Sequence, residues 1–177
     1  MTVYTGRGDD GETDLRGNDR ISKADLRIET YGTIDELNAL VGMVRPTGFD
    51  DVDEMLAMVQ NHLHVIQADL ATPSESDSAP RIDSKHIDTI EQWIDECEEE
   101  LTPLDSFILP GGGNAGAKLH HSRTVCRRAE RRVVKLTQRE PVNSVIQTYL
   151  NRLSDLLFVL ARVVNDRNGV VEESPTY

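Results

Sequence analysis

From Leu26 onward, apolar residues recur at three- to five-residue spacing. Leu26, Tyr31, Ile34, Leu37, Val41 and Val44 follow one another as on the inward face of a helix. This spacing predicts a helix from about Ala24, closed by Pro46 and Gly48. A second periodic run, with Val52, Leu56, Val59, Leu63, Ile66 and Leu70 inward, predicts a helix from about Asp51 to Ala71. Residues 72–80 read as a polar, Pro/Ser-rich loop. A third helix is expected from about Asp83 to Leu101, with Ile87, Ile90, Ile94 and Cys97 inward and Asp83 or Ser84 as its N-cap. Leu109-Pro110-Gly111-Gly112-Gly113 breaks the chain again. Two further helices follow, at about Asn114–Thr137 and about Val142–Asp166. The last turns Val145, Tyr149, Leu153, Leu156, Leu157, Leu160 and Val164 inward. Residues 1–22 carry neither a helical nor a strand period and read as a loop, and no convincing strand run appears elsewhere. The fold class is therefore all-α, five helices in an antiparallel bundle, over a single domain of 177 residues.

Composition narrows the setting. The formal net charge is -12, with 31 Asp+Glu against 19 Lys+Arg. That balance speaks against binding to nucleic acid or an anionic membrane and suits a surface in high salt. Leu156–Val164 is interrupted by Arg162 and is far too short to span a membrane. The first residues lack an apolar signal core, so the expected location is cytoplasmic. Cys97 and Cys126 lack metal-ligand spacing and read as ordinary thiols.

Against this acidic background, five arginines fall within Arg123–Arg132. At helical pitch Arg123, Arg127 and Arg131 share one face, and Arg128 and Arg132 lie on the next. Such a stripe repels itself unless acidic side chains or a bound anion meet it. Asp35, between Ile34 and Leu37, is expected to be partly buried and to need an arginine partner. The segment Tyr4–Thr13 alternates glycines, hydroxyls and Arg7. Glycine-rich backbone presents N–H groups to phosphate oxygens, to which Arg7 and Lys23 add charge, and Asp9 or Asp10 could hold magnesium through water. The alternative for this segment is an unstructured tail. Gly111–Lys118 fails as a P-loop: its lysine comes one residue late, no Ser or Thr follows, and no strand precedes it. It reads as a flexible entry to the arginine helix. No histidine has a Glu three residues before it, which removes the motif of a di-iron bundle.

Four blocks in order carry a family resemblance: Tyr4-Thr5-x-x-Gly8-Asp9-x-Gly11-x-Thr13-x-Leu15, Tyr31–Asn38, Arg123–Arg131 and Tyr149–Asp155. Together they resemble the ATP:cob(I)alamin, or corrinoid, adenosyltransferases of the propanediol-utilisation type. The resemblance implies a five-helix bundle, ferritin-like in outline, in residues 24–168. A nucleotide-binding loop in residues 1–22 precedes it, and the whole assembles as a homotrimer with sites between subunits. It implies transfer of the 5′-deoxyadenosyl group of ATP, with Mg2+, to the cobalt of a reduced corrinoid such as cobalamin, releasing triphosphate. By matching position, Thr5, Gly6, Arg7, Gly8, Thr13, Asp14 and Lys23 resemble the ATP loop. Arg127, Arg128, Ala129, Glu130 and Arg131 resemble the second wall, with Asn151 on the nucleotide. The resemblance further implies that Arg131 stabilises the departing triphosphate and that Arg127 partners Asp35 on the corrinoid side. Phe107 matches an aromatic that faces the corrinoid and helps remove its lower axial ligand. A reductase or an adenosylcobalamin-dependent mutase is an implied partner. Gly6 stands where many members carry a basic residue, and Ser122 where alanine is usual. A non-catalytic nucleotide or corrinoid carrier is the alternative from another class.

Overall fold

The computed structural model describes residues 4–16, 20–72 and 80–177. Five helices form the body: α1 (Leu26–Val44), α2 (Asp50–Leu70), α3 (Ser84–Glu98), α4 (Asn114–Thr137) and α5 (Ser144–Arg167). Helix α4 lies between α1 and α5, with α2 packed on α1 and α3 on α5. The inward positions close into one core in which Ile34, Leu56, Leu63, Leu119, Leu136, Tyr149 and Leu153 are fully buried. Tyr31, Ile87, Ile94 and Val145, expected inward, are only half-buried and flank that core.

The helix starts follow local chemistry. The Asp25 carboxylate accepts from the Arg27 N–H at 2.8 Å and caps α1. Asp83, one of the two expected caps, forms a capping box with His86 on α3. The structure ends α3 three residues before Leu101. Two buried cations tie the ends of the bundle. Arg27 donates to Glu140 at 2.7 Å and to the Leu70 carbonyl at 2.5 Å. Arg162 on α5 joins the Glu172 carboxylate at 3.1 Å to the Thr102 carbonyl at 2.9 Å.

Two expectations are corrected. The segment before α1 is not without strands: β1 (Glu12–Asp14) pairs antiparallel with β2 (Arg20–Ser22), with Thr13 opposite Ile21. Three-residue strands are too short to display a period of two, which is why the pattern hid them. The polar loop expected over 72–80 falls mostly on residues 73–79, which lie outside the described residues. Asp35 is exposed, not partly buried. At 100° per residue the inward stripe of α1 runs through Thr30, Thr33, Ile34, Leu37 and Val41, and Asp35 and Glu36 fall on its outer side.

Candidate active site

Helix α4 divides its arginines by face. Arg128 pairs with Glu36 on α1. Arg132 reaches Glu29 at 2.6 Å and also bonds the Thr33 hydroxyl. These two answer the acidic face of α1 and anchor α4 to it. Arg127 and Arg131 are exposed, and among the described residues neither forms an ion pair. They stand one turn apart, about 6 Å along the axis. The expected Asp35–Arg127 pair is not formed within the chain. Asp35 is likewise exposed without an ion pair among the described residues.

Arg123 departs from the stripe it was expected to share. It is half-buried, its guanidinium 6.0 Å from the centre of the Phe158 ring. It lines a cavity of about 890 Å³ with Leu104, Phe107, Phe158, Pro175 and Tyr177. Phe107, one of its walls, is 82% exposed. An aromatic so exposed in a loop between helices is unusual unless something covers it. Beneath it His120 is buried, with its ring 5.9 Å from Phe158 and its Nδ1 unpartnered. Desolvation, reinforced by the charge of Arg123 and opposed by that of Glu172, lowers its pKa.

The opposite wall of α4 continues onto α5. Asn151 donates to the Glu130 carboxylate at 3.1 Å and accepts from Arg152 at 2.8 Å, and Arg152 in turn pairs with Glu91 at 2.6 Å. Burial raises the Asp155 carboxyl, with Arg152 and Arg127 pulling the other way. Glu130 and Asn151, expected in one site, are thus in contact, and Arg127 and Glu130 each lie within electrostatic reach of Asp155.

The loop before α1 is ordered by its own charges. Arg7 pairs with Asp14 at 2.9 Å, and the Lys23 ammonium donates to the Gly8 carbonyl at 2.7 Å. Arg20, absent from the expected site, does the most. It pairs with Asp10 at 3.0 Å and with Glu12 at 2.9 Å, and donates to the Arg7 carbonyl at 3.1 Å. Its signal, a basic residue opposite Asp14 in a hairpin, is readable only once the strand register is known. A Cβ at Gly8 would lie 2.9 Å from the Lys23 nitrogen, so glycine there lets the lysine close over the loop. Gly6 turns with φ +72°. Among the described residues no hydrogen bond or ion pair joins this loop to Arg127, Arg131 or Asn151. Lys23 and Arg132 do share a groove of about 510 Å³ along α1, with Gly32, Thr33 and Glu36.

The thiols take no part in chemistry. Burial pushes Cys97 up to about 11 and raises Cys126 further, and Cys126 donates to the Leu150 carbonyl at 3.2 Å. Among the described residues no three His, Cys, Asp or Glu side chains converge as metal ligands, and no helix is long and apolar enough to cross a membrane.

A cationic face on α4 and an exposed aromatic cavity beside it, in a five-helix bundle, find a counterpart among known proteins. The family model of cobalamin adenosyltransferase matches residues 3–164. The chain belongs to the cobalamin adenosyltransferase family. Its relatives in that family include the corrinoid adenosyltransferase of Bacillus subtilis. The two are 42% identical over 96% of this chain and 90% of that protein. The Mycobacterium leprae enzyme of the same name is 42% identical over 96% of this chain and 94% of its own. A variant of the PduO-type ATP:corrinoid adenosyltransferase of Lactobacillus reuteri, solved with cobalamin and ATP, superposes with a TM-score of 0.92. It is 31% identical, covering 99% of this chain and all of that one. Another variant of that enzyme, solved with ATP, gives 0.90 at 32% identity, covering 98% of this chain. As a family member, this chain has the expected five-helix bundle, with the small hairpin added before it.

Proposed function

We propose that the chain transfers the 5′-deoxyadenosyl group of ATP to the cobalt of a reduced corrinoid. The observation that carries this reading is the division of α4: Arg127 and Arg131 face outward without carboxylate partners among the described residues, while Arg123 borders a largely apolar cavity beside Phe107. Helix α4 thus lies between a polyphosphate site, at Arg127 and Arg131, and an aromatic surface that its Arg123 borders one turn away. ATP and cobalamin are the molecules bound in the solved relative.

The reaction asks little covalent chemistry of the protein. The reduced cobalt attacks the ribose C5′, a cobalt–carbon bond forms, the C5′–oxygen bond breaks, and triphosphate leaves with the electron pair. Arg131 stabilises the charge gathering on that leaving group, and Arg127 frames it, while Arg128, committed to Glu36, holds the helix in place. Glu130 and Asn151, already in contact, orient the nucleotide. Thr5, Gly6, Arg7, Gly8, Thr13, Asp14 and Lys23 close over the phosphates from the loop. Magnesium would partner the triphosphate, and a loop carboxylate such as Asp9 would hold it through water, neutralising charge on the leaving group. Phe107 faces the corrinoid and excludes its lower axial ligand, which makes the cobalt easier to reduce.

The site is completed between copies of the chain, in a homotrimer. Support comes from three groups that form no ion pair among the described residues, Asp35, Arg127 and Arg131. The outer face of α1, where Gly32, Asp35, Ala39 and the exposed Met43 follow at helical spacing, supports it too. Across that contact Asp35 meets Arg127. The cytoplasm, where ATP is made, is the setting in which we place the reaction.

The test is direct. Protein, Mg-ATP and chemically reduced cobalamin are expected to yield adenosylcobalamin and triphosphate in equal amounts. Binding of ATP and corrinoid without an adenosylated product would favour a carrier instead.

A further inference from the structure

Helix α5 ends in a buried asparagine that joins two irregular segments. Asn165 is 2% exposed. Its Oδ1 accepts from the Gly113 N–H at 3.0 Å, and its Nδ2 donates to the Gly111 carbonyl at 3.1 Å. Its own backbone carbonyl accepts from the Val170 N–H at 2.9 Å. One residue therefore satisfies backbone groups on both the glycine run and the segment after α5. The fit leaves no slack. A Cβ at Gly112 would lie 2.3 Å from the Asn165 side chain, and one at Gly116 2.1 Å. Gly112 also turns with φ +106°, a conformation that L side chains rarely adopt. The glycine run is thus a clamped strap, not the flexible entry its composition suggests.

The two segments are then laced together around Phe107. The Leu109 N–H donates to the Glu173 carbonyl at 2.7 Å. The hydroxyls of Ser106 and Ser174 lie 3.0 Å apart. Arg162, one turn before Asn165 on α5, ties Glu172 to the Thr102 carbonyl. The Phe107 ring itself is exposed, so its place is set by these ties and not by burial of its own. The Asn165 side chain bonds to Gly111 and Gly113 and to no side chain of another helix.

We infer that Asn165 is a positioning residue for corrinoid use. It holds the strap that presents Phe107, and with it the wall formed by Pro175 and Tyr177, in the geometry that excludes the lower axial ligand. This rests on the corrinoid reading above. Among the described residues no hydrogen bond or ion pair joins Arg127, Arg131 or the loop before α1 to the strap, so the effect is selective.

The experiment compares wild type with Asn165→Ala and Asn165→Asp in steady-state adenosylation and in the electron paramagnetic resonance spectrum of bound cob(II)alamin. Leaving two buried backbone groups unpaired in the alanine variant raises the corrinoid KM about tenfold and lowers the fraction of cobalt without its lower ligand by a similar factor. The ATP KM stays within about twofold, because the nucleotide groups are untouched. Asn165→Asp keeps the acceptor for Gly113 and falls between the two. If the alanine variant fails to fold, the aspartate variant decides by the same pair of KM values. A corrinoid KM and spectrum unchanged from wild type, or both KM values rising together, overturns the inference. Absence of adenosylated product from the wild type itself removes the functional reading, and this inference with it.

Discussion

His62 on α2 offers a measurement of how the bundle tolerates acid. Its ring is buried, its Nδ1 lies 3.0 Å from the Tyr149 hydroxyl on α5, and the His86 ring on α3 stands 4.7 Å away, beside Asp83. Desolvation first, then the like charge of His86, pull the imidazole down from 6.5 to about 4. Between those values the unfolded chain takes up a proton that the folded chain refuses. Stability therefore rises with pH in this window: the contribution is complete above about 6.5 and is lost as pH falls towards 4. The full shift corresponds to about 3 kcal/mol, and the part lost between pH 7.5 and pH 5 to about 2 kcal/mol. His62→Gln removes the titration while leaving a polar group near Tyr149. Urea unfolding at the two pH values, at fixed protein concentration so that assembly does not vary, isolates the effect. Wild type is expected to lose about 2 kcal/mol more than the variant over that interval. Parallel losses in the two proteins would show that His62 takes its proton as readily in the folded state and would refute the reasoning.

Two substitutions probe the faces of α4. Arg131→Ala is expected to lower adenosylation turnover about a hundredfold or more while leaving thermal stability unchanged, since the side chain is exposed and makes no ion pair among the described residues. Wild-type turnover in that variant would remove Arg131 from the chemistry. Asp35→Asn is expected to raise the corrinoid KM more than the ATP KM, with a matching loss of assembly in sedimentation; equal change in both constants would contradict the pairing of Asp35 with Arg127.

The helices were legible because burial imposes a period. Leu56, Val59, Leu63 and Ile66 announce α2 as plainly as any structure does. The arginine stretch was legible as a charge anomaly, but its division was not. Whether Arg128 and Arg132 meet carboxylates depends on which residues of α1 pack against α4, and Glu29, Thr33 and Glu36 are identified only by that packing. The misjudged Asp35 has the same root. Adjacency to Ile34 and Leu37 in sequence says nothing of angle, and 100° per residue carries its carboxylate outward. The strap around Phe107 was hidden for a different reason. Its ties involve several backbone groups, and the side chain that holds the glycine run, Asn165, follows the apolar pair Val163 and Val164 near the end of α5. A polar residue at the end of a helix ordinarily reads as a cap.

The exposure of Asp35 has a consequence for where the chemistry lies. A partly buried Asp35 would have drawn an arginine inward and completed its charge within one chain. Exposed, it leaves Arg127 and Arg131 to be met from outside. Two exposed arginines one turn apart on an otherwise acidic protein repel each other by an amount that the surrounding water largely screens. Nothing in the bundle therefore forces them to pair before ligand arrives. That is the arrangement a polyphosphate site requires: cations held in place by the helix, uncommitted to internal carboxylates, and able to spend their full attraction on the anion that forms as the C5′–oxygen bond breaks.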